Sequence, residues 1–276
     1  MESRMTNKGV ANVALPDAKR SISYEVFDSD ILVMRGMLDF SEALIATAER
    51  LGKWLDANVI QPEGRTEYID KGHRNNSKLP LSTNTEAELL PFHVACHAAT
   101  TAAMMLYMHL NPYASVTRHT GFDLLRYKPG QYFREHVDVI PGHAAWGLRR
   151  VSLVAFLNGG MEGGELWFPR QECAIKPEPG MMVLFPSGFT HPHSSLDVRK
   201  GVKYSIASWM VYDPADLPQP QKEPLPSGEA KPPEVSAAVA AEAIARIAEL
   251  VPADKRGGIA KLLPTGLVAL GALSKQ

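Results

Sequence analysis

The sequence of 276 residues lacks the cysteines of a disulfide-built fold, because Cys96 and Cys173 can form at most one bridge. A small secreted disulfide scaffold is therefore excluded, and a reduced, cytoplasmic setting is expected. An excess of one charge is also missing, since 29 basic and 30 acidic residues leave a formal net charge of −1. This balance gives no electrostatic reason to expect a nucleic acid partner.

Long apolar runs are missing as well. No stretch of 18 consecutive apolar residues occurs, so no transmembrane segment is expected. The first 20 residues lack an apolar run followed by a small-residue cleavage site, so no secretory signal is expected. Hydrophobic residues nevertheless make up 45% of the chain and charged residues 21%, which is enough for a sizeable core.

Composition divides the chain into four parts. Residues 1–20 are polar and aperiodic, and we expect a flexible N-terminus there. Residues 21–213 form the main domain. Residues 214–234 are a linker that holds seven of the 21 prolines. Residues 235–276 are an Ala-rich helical extension with an apolar tail, for which we expect docking on the main domain, with self-association as an alternative.

The first half of the main domain, to Asn111, reads as mainly helical after short strands around 24–27 and 31–35. Asp39 and Glu42 have the spacing of a capping box and open a first helix. Apolar residues at helical spacing predict a second helix over 92–110, with one apolar face.

A polar stretch over 61–85 separates the two predicted helices and contains Arg74-Asn75-Asn76-Ser77. Loops of this length in compact domains usually work as lids or binding loops. A solvated surface excursion is the equally weighted alternative.

From residue 120 the apolar period changes to two, and turns rich in Gly and Pro follow one another closely. Many short strands with such turns predict an antiparallel barrel or sandwich, with the preceding helices packed on one face. The predicted strands are 123–127, 132–138, 151–157, 165–168, 181–185 and 202–212, with the catalytic barrel over about 120–213.

The candidate chemistry lies in this strand-rich part. In a strand, residues i and i+2 share a face, so His136 and Asp138 should converge. A further histidine, His191 or His193, follows downstream. Two histidines and one carboxylate can occupy one face of an octahedral metal, as in non-haem Fe(II) oxygenases that bind a cosubstrate and O₂. A zinc hydrolase could use the same three ligands.

Lys203 helps to separate these two chemistries. It lies ten residues after His193, on a strand that should run beside the metal. Taken alone, Lys203 would be a solvated strand lysine, but a cation at this spacing suits an iron oxygenase, in which it would pair with the distal carboxylate of 2-oxoglutarate. A zinc hydrolase has no need of it.

Five segments follow one another in the strand-rich part: LLRYKPGQYFREHVD, LVAFLN, EGGELWFP, PGMMVLFPSGFTHPHS and GVKYSIASWM. Their order resembles that of the prolyl 4-hydroxylase-like branch of the Fe(II)- and 2-oxoglutarate-dependent dioxygenases. The chain resembles that family over about 123–212, a third of its length. The resemblance implies an α+β, mainly β fold with a double-stranded β-helix (jelly-roll) barrel.

The same resemblance implies the site residues and cofactors. His136, Asp138 and His193 would bind Fe(II), and Lys203 and Tyr127 would bind 2-oxoglutarate. O₂ would be the oxidant and L-ascorbate (vitamin C) the reductant. His193 is preferred to His191 because it places Lys203 at the family's offset.

The resemblance also implies the reaction. The expected function is hydroxylation of an unactivated C–H bond in a peptidyl or free amino acid, proline-like, with release of succinate and CO₂. Asp138 favours hydroxylation, because halogenases of the family carry a small residue in its place. The segment from Arg74 to Ser77 resembles the mobile loop that closes over substrate in relatives. A tailoring hydroxylase of a small natural product is the alternative. A zinc hydrolase and a non-catalytic binding module are less favoured hypotheses.

Overall fold

The computed structural model describes residues 10–13, 22–27, 30–60, 67–81 and 86–216. Most of the predicted flexible N-terminus (1–20) lies outside these residues. So do the Pro-rich linker after residue 216 and the whole predicted extension over 235–276. Residues 10–13 form a strand paired with residues 22–25, so flexibility is not observed there, and the rest of these three assignments stays a prediction.

Strands dominate the described residues, together with two α-helices. In chain order the elements are β1 (Val10–Val13), β2 (Ile22–Phe27), β3 (Ile31–Arg35), α1 (Ser41–Leu51), β4 (Leu55–Asp56), β5 (Val59–Ile60), β6 (Glu67–Tyr68), β7 (Ser77–Leu81), α2 (Leu90–Leu110), β8 (Arg118–His119), β9 (Phe122–Tyr127), β10 (Phe133–His136), β11 (Arg149–Phe156), β12 (Glu162–Gly163), β13 (Leu166–Phe168), β14 (Cys173–Ile175), β15 (Met181–Pro186), β16 (His193–Ser195), β17 (Val198–Lys200) and β18 (Lys203–Val211).

Two antiparallel sheets build the barrel. The large sheet has the order β1-β2-β3-β15-β11-β18-β9-β7-β4, with β8 paired to β18. The small sheet has the order β10-β16-β13-β14, and β12-β17 and β5-β6 form separate two-stranded pairs. This architecture confirms the predicted mainly β class with supporting helices.

Both faces of the large sheet are covered by protein. Successive side chains of a strand point to opposite faces, so β15 sends Met182 and Leu184 into one apolar cluster and Val183 and Phe185 into another. The first cluster also contains Leu44 of α1 and residues of α2, so it lies between the sheet and the helices. Burial on both sides explains why β15 reads as the continuous apolar run MMVLF.

Helix α2 is buried more completely than an amphipathic pattern predicts. Its described residues from Ala98 to Tyr107 are all buried, so the prediction of a single apolar face is wrong. The stretch Ala87–Leu110 is long and apolar enough to cross a membrane, and 61% of its most apolar window is buried within the protein. A core helix of this kind passes the same test, so the expected absence of a transmembrane segment stays a prediction.

The N-terminal half contains more strand than its sequence predicts. The capping box is wrong, because α1 begins one residue late: Leu44 N–H donates to Phe40 O at 3.0 Å, which makes Phe40 the N-cap residue. Strand β7 occupies part of the predicted loop over 61–85. Its Pro80 has no N–H to donate, which is tolerated because β4 pairs only with residues 77 and 78.

Candidate metal centre

Three predicted ligands meet at one point inside the barrel. His136, Asp138 and His193 each offer a ligand atom within 4.8 Å of the other two. Asp138 lies with its Oδ1 3.8 Å from His136 Nε2 and its Oδ2 3.5 Å from His193 Nε2. Among the described residues this is the one group of three or more such side chains that could hold a metal ion.

Strand register explains why two distant histidines meet. His136 ends β10 and His193 begins β16, and the two are direct partners across the antiparallel pair. Directly opposed residues point to the same face, which brings the ring centroids to 4.3 Å. His191 lies in the preceding turn, where its Nδ1 is 2.9 Å from Thr190 Oγ1, and it is not part of the group.

Asp138 reaches the group by a different route from the predicted one. The sequence predicts a strand over 132–138, but β10 ends at His136 and Asp138 lies in the following bend. The Asp138 N–H donates to Ser187 O at 3.1 Å, which ties the bend to the end of β15. The convergence with His136 therefore depends on a tertiary hydrogen bond rather than on strand alternation alone.

Hydrogen bonds fix which nitrogen of each imidazole can bind a metal. His136 Nδ1–H donates to Arg134 O at 2.8 Å, and His193 Nδ1–H donates to His191 O at 3.1 Å. Since the acceptors are carbonyl oxygens, Nδ1 carries the proton in both rings and each Nε2 keeps its lone pair. Both lone pairs lie beside the Asp138 carboxylate, as ligation requires.

Asp138 is held by a chain of hydroxyl groups. Ser152 Oγ donates to Asp138 Oδ2 at 2.6 Å, and Ser187 Oγ lies 2.8 Å from Ser152 Oγ. The guanidinium of Arg149 donates to the backbone oxygen of Asp138 at 3.2 Å. These partners hold the carboxylate in one orientation, which is how second-layer groups position a metal ligand.

Protonation states suit cation binding. Burial and the neighbouring His193 lower the pKa of His136 to about 3, so its imidazole is neutral at neutral pH. Burial would raise the pKa of Asp138, but His193, His136 and Arg149 outweigh it and lower its pKa to about 2. A neutral imidazole and an ionised carboxylate are the forms that ligate metals.

The donor set fits a divalent first-row metal. Two neutral imidazole nitrogens and one carboxylate oxygen are the ligands of the facial triad in non-haem iron enzymes, and a His₂Asp set also suits zinc. The side chains present therefore fit Fe(II), although their role as iron ligands stays a prediction.

Lys203 lies deeper in the barrel. Its side chain is 2% exposed, and Nζ donates to Gly164 O at 2.8 Å and to Ser195 Oγ at 2.7 Å. Burial lowers its pKa to about 7. The ammonium stands 4.7 Å from the ring centroid of Tyr127, its partner across β9 and β18. The two residues predicted to bind 2-oxoglutarate are therefore neighbours.

Gly164 makes room for the Lys203 stem. Its φ is +76°, and a Cβ built there would lie 3.1 Å from both Lys203 Cδ and Val198 Cγ2. Because the left-handed conformation and the close approach both favour glycine, the EGG turn serves the lysine directly.

A cleft of about 480 Å³ opens from the metal group to solvent, and an inner cavity of about 50 Å³ continues from it toward Lys203. The walls of the cleft include residues that the sequence analysis did not assign to the site. Arg149 lies between two indoles, with its guanidinium carbon 4.0 Å from the Trp146 centroid and 3.7 Å from the Trp209 centroid. The adjacent pair Arg149-Arg150 at the start of β11 is a signal in the sequence that could have indicated this arrangement.

Within the segment Arg74-Asn75-Asn76-Ser77, Arg74 lines the cleft. Arg74 Nε donates to Asn76 Oδ1 at 2.9 Å, its Nη1 donates to Asn58 O at 3.1 Å, and its guanidinium covers the Phe133 ring at 4.5 Å. Asn76 is completely buried. The prediction of a loop over 61–85 is therefore wrong at β6 and β7, whereas residues 69–76 between them form turns and one isolated bridge.

Comparison with known protein families agrees with this geometry. The model described as the 2OG-Fe(II) oxygenase superfamily matches residues 122–211. That range holds the three candidate ligands together with Tyr127 and Lys203.

Curated relatives match over a short part of their length. Prolyl 3-hydroxylase 2 of Gallus gallus is 36% identical over 75 residues, which are 25% of this chain and 11% of that protein. Prolyl 3-hydroxylase 1 of Rattus norvegicus is 29% identical over 113 residues, 32% of this chain and 16% of that protein. The chain thus spans about a tenth to a sixth of these relatives.

Solved structures share the fold. A prolyl-4-hydroxylase of Pseudomonas putida superposes with a TM-score of 0.52 at 19% identity, covering 67% of this chain and 94% of that one. A prolyl hydroxylase of Trichoplax adhaerens, in complex with a hypoxia inducible factor peptide, gives 0.53 at 16% identity, covering 67% and 84%. Over residues 122–211 the chain is therefore similar to the 2OG-Fe(II) oxygenase superfamily, and its barrel shares the jelly-roll fold of the solved prolyl hydroxylases.

Proposed function

We propose that this protein is a 2-oxoglutarate-dependent dioxygenase that hydroxylates an unactivated C–H bond of a proline-like amino acid, peptidyl or free. Substrate, 2-oxoglutarate and O₂ would give hydroxylated substrate, succinate and CO₂, with one oxygen atom of O₂ entering the new hydroxyl group and the other entering succinate. The observation that carries the proposal is the triad of His136, Asp138 and His193, with both Nε2 lone pairs directed at one point beside a buried lysine.

Fe(II) held by the triad would supply O₂ activation and the oxidative decarboxylation of 2-oxoglutarate. The protein's own residues orient the reactants. Carbonyl acceptors keep both imidazoles neutral with Nε2 directed inward, and Ser152 holds the carboxylate. These contacts hold the ligand atoms in one orientation, as a metal site requires.

Lys203 would bind the distal carboxylate of 2-oxoglutarate. An ammonium in a buried cavity forms a strong charge-assisted hydrogen bond with an anion, and Gly164 O and Ser195 Oγ already orient it. The Tyr127 hydroxyl would donate a second hydrogen bond. Burial raises the pKa of Tyr127, so the phenol keeps its proton for that role.

The proline-like substrate is supported by the relatives, which are named prolyl hydroxylases. The cleft of about 480 Å³ favours a single residue or small molecule at the metal, with any further peptide extending outward. A small natural product with a similar ring would satisfy the same space. We propose L-ascorbate as the reductant that restores Fe(II) after uncoupled turnover.

Anaerobic titration tests the reaction class. Full-length protein loaded with Fe(II) should develop a weak visible metal-to-ligand charge-transfer band on addition of 2-oxoglutarate. Tight zinc binding without that band would favour a hydrolase and contradict the proposal. Succinate release over a panel of amino acids and prolyl peptides then identifies the substrate, with and without ascorbate.

Replacing each histidine separately by alanine tests the ligand assignment. His193→Ala should lose Fe(II) binding, whereas His191→Ala should retain it, because His191 lies outside the group. Loss of iron in the His191 variant alone would reverse the assignment.

A further inference from the structure

One carboxylate in the cleft has no role in the site described above. Asp123 lies on β9 and lines the same cleft as His136, Asp138 and Trp209. Among the residues that the structure describes, no hydrogen bond or ion pair involves its side chain. It is partly exposed, so its carboxylate faces the space that a substrate would enter.

Strand register places Asp123 on the inner face of the barrel. Side chains alternate along β9, so Asp123 shares a face with Leu125 and Tyr127, which line the inner cavity. Phe122 and Leu124 point the other way, into the apolar cluster beneath the helices. Asp123 therefore lies on the same wall as the predicted 2-oxoglutarate ligand Tyr127, four residues nearer the mouth.

The neighbours of Asp123 leave its carboxylate uncovered. Its cross-strand partners are Ala207 on β18 and Pro80 on β7. Neither side chain can donate a hydrogen bond, and the methyl group of Ala207 fills little space. A carboxylate between two apolar partners at the edge of a concave site is less well solvated than one on an open surface.

The cationic side chains near Asp123 contact other groups. Lys78 lies diagonally across from Asp123 and donates to Asn58 Oδ1. Arg74 donates to Asn76 and Asn58, and Arg149 stacks between two indoles and donates to Asp138 O. No ion pair joins Asp123 to a cation among the described residues, so its charge is available to a cationic group of a bound molecule.

We propose that Asp123 is a specificity-determining residue that binds a positively charged nitrogen of the substrate. An ammonium or guanidinium group would form a charge-assisted hydrogen bond with the carboxylate while another part of the molecule lies at the metal. The substrate class is therefore a free amine, a basic side chain or another cationic nitrogen compound. This inference rests on the proposed hydroxylase function and adds the charge of its substrate.

The test uses matched compounds that differ in one charge. L-arginine is compared with L-citrulline, L-lysine with L-norleucine, and L-proline with N-acetyl-L-proline. Each is titrated calorimetrically into the full-length protein loaded anaerobically with Fe(II) and 2-oxoglutarate, and again into the metal-free protein. Succinate release is measured for the same compounds in air.

The cationic member of at least one pair should bind about 10- to 100-fold more tightly, the range for a hydrogen bond to a charged group. Asp123→Asn keeps the shape and removes the charge, so it should reduce this preference to less than about threefold. Asp123→Glu restores the charge and should restore a preference. The control Asp39→Asn makes the same charge change at an exposed position outside the cleft and should leave the preference intact.

Two results would overturn the inference: no pair distinguished by charge, or a preference that survives in Asp123→Asn. Failure of the hydroxylase proposal is a separate result, seen as a missing 2-oxoglutarate band in the wild-type protein. Because binding is also measured without metal, the charge preference is decided in either case.

Discussion

The two faces of β9 and β18 differ in what their side chains do. The outward side chains Leu124, Ile206 and Met210 are buried in the apolar cluster beneath α1 and α2. The inward face of the same strands carries Tyr127, Lys203 and the candidate specificity residue Asp123. One face therefore stabilises the barrel by burial, and the other holds polar groups at a cost in desolvation. Substitutions on the outward face should therefore change the free energy of unfolding, whereas substitutions on the inward face should change the binding of metal or cosubstrate.

The largest effect is expected from the metal group. Asp138→Ala should lower turnover by more than about 100-fold, because loss of a ligand exceeds the loss from removing a group that only orients one. The free energy of unfolding of the metal-free protein should fall at neutral pH, since the lowered pKa of Asp138 means that the folded state favours its ionised carboxylate. Bound iron by elemental analysis and unfolding in urea measure the two quantities. Retention of stoichiometric iron in this variant would contradict the assignment.

The second-largest effect is expected from Lys203, the cation on the inward face. Lys203→Met keeps the stem length and removes the ammonium, so the KM for 2-oxoglutarate should rise about 100-fold, corresponding to roughly 3 kcal/mol for a buried charge-assisted hydrogen bond. Iron binding should be retained, because the lysine does not belong to the metal group. The visible band measured against 2-oxoglutarate concentration gives the affinity directly. An unchanged affinity would place the cosubstrate elsewhere.

The third prediction tests the outward face. Leu124 is completely buried between the sheet and the helices. Leu124→Ala should lower the free energy of unfolding by about 2–5 kcal/mol, the usual cost of a cavity in a well-packed core. The affinity for Fe(II) in the folded protein should stay within about twofold of wild type. A comparable loss of iron affinity would mean that the two faces are not independent.

The smallest effect is a pH dependence. Burial lowers the pKa of Lys203 from 10.5 to about 7, so above pH 7 the lysine must take up a proton when it binds the cosubstrate dianion. The dissociation constant of 2-oxoglutarate should rise about tenfold per pH unit above pH 7 and level off below it. Between pH 7 and pH 10.5 the lysine is protonated in the unfolded chain and neutral in the folded protein. Because the unfolded chain binds more protons in this range, the contribution of Lys203 to the free energy of unfolding rises with pH there. In Lys203→Met the affinity slope should vanish, which binding titrations at several pH values will show.

The contrast between local and tertiary signals explains which parts of the site could be predicted. The order of His136, Asp138, His193 and Lys203 carries their chemistry, and the structure brings them together. The choice of His193 over His191 follows the resemblance and agrees with the register of β10 and β16. Local periodicity also located strands near 123–127, 151–157 and 181–185, which lie in the barrel.

Other features had no local signal. Lys78 and Pro80 made β7 read as loop, yet β9 and β4 supply partners for it. Arg74 reads as a solvated lid residue, but hydrogen bonds to Asn76 and Asn58 O bury it in the cleft wall. The aromatic pair around Arg149 joins a turn before β11 to the far end of β18.

The sequence by itself determined which side chains can bind a metal and an anionic cosubstrate, because donor type and spacing are properties of the chain. It also determined the alternation that gives β9 and β18 an apolar outward face. Only the tertiary structure decided how these groups are held: the Ser187 carbonyl fixes the bend at Asp138, the Gly164 turn admits Lys203, and Ala207 and Pro80 leave Asp123 uncovered. Each of these depends on contacts between segments far apart in the chain, which no local pattern encodes.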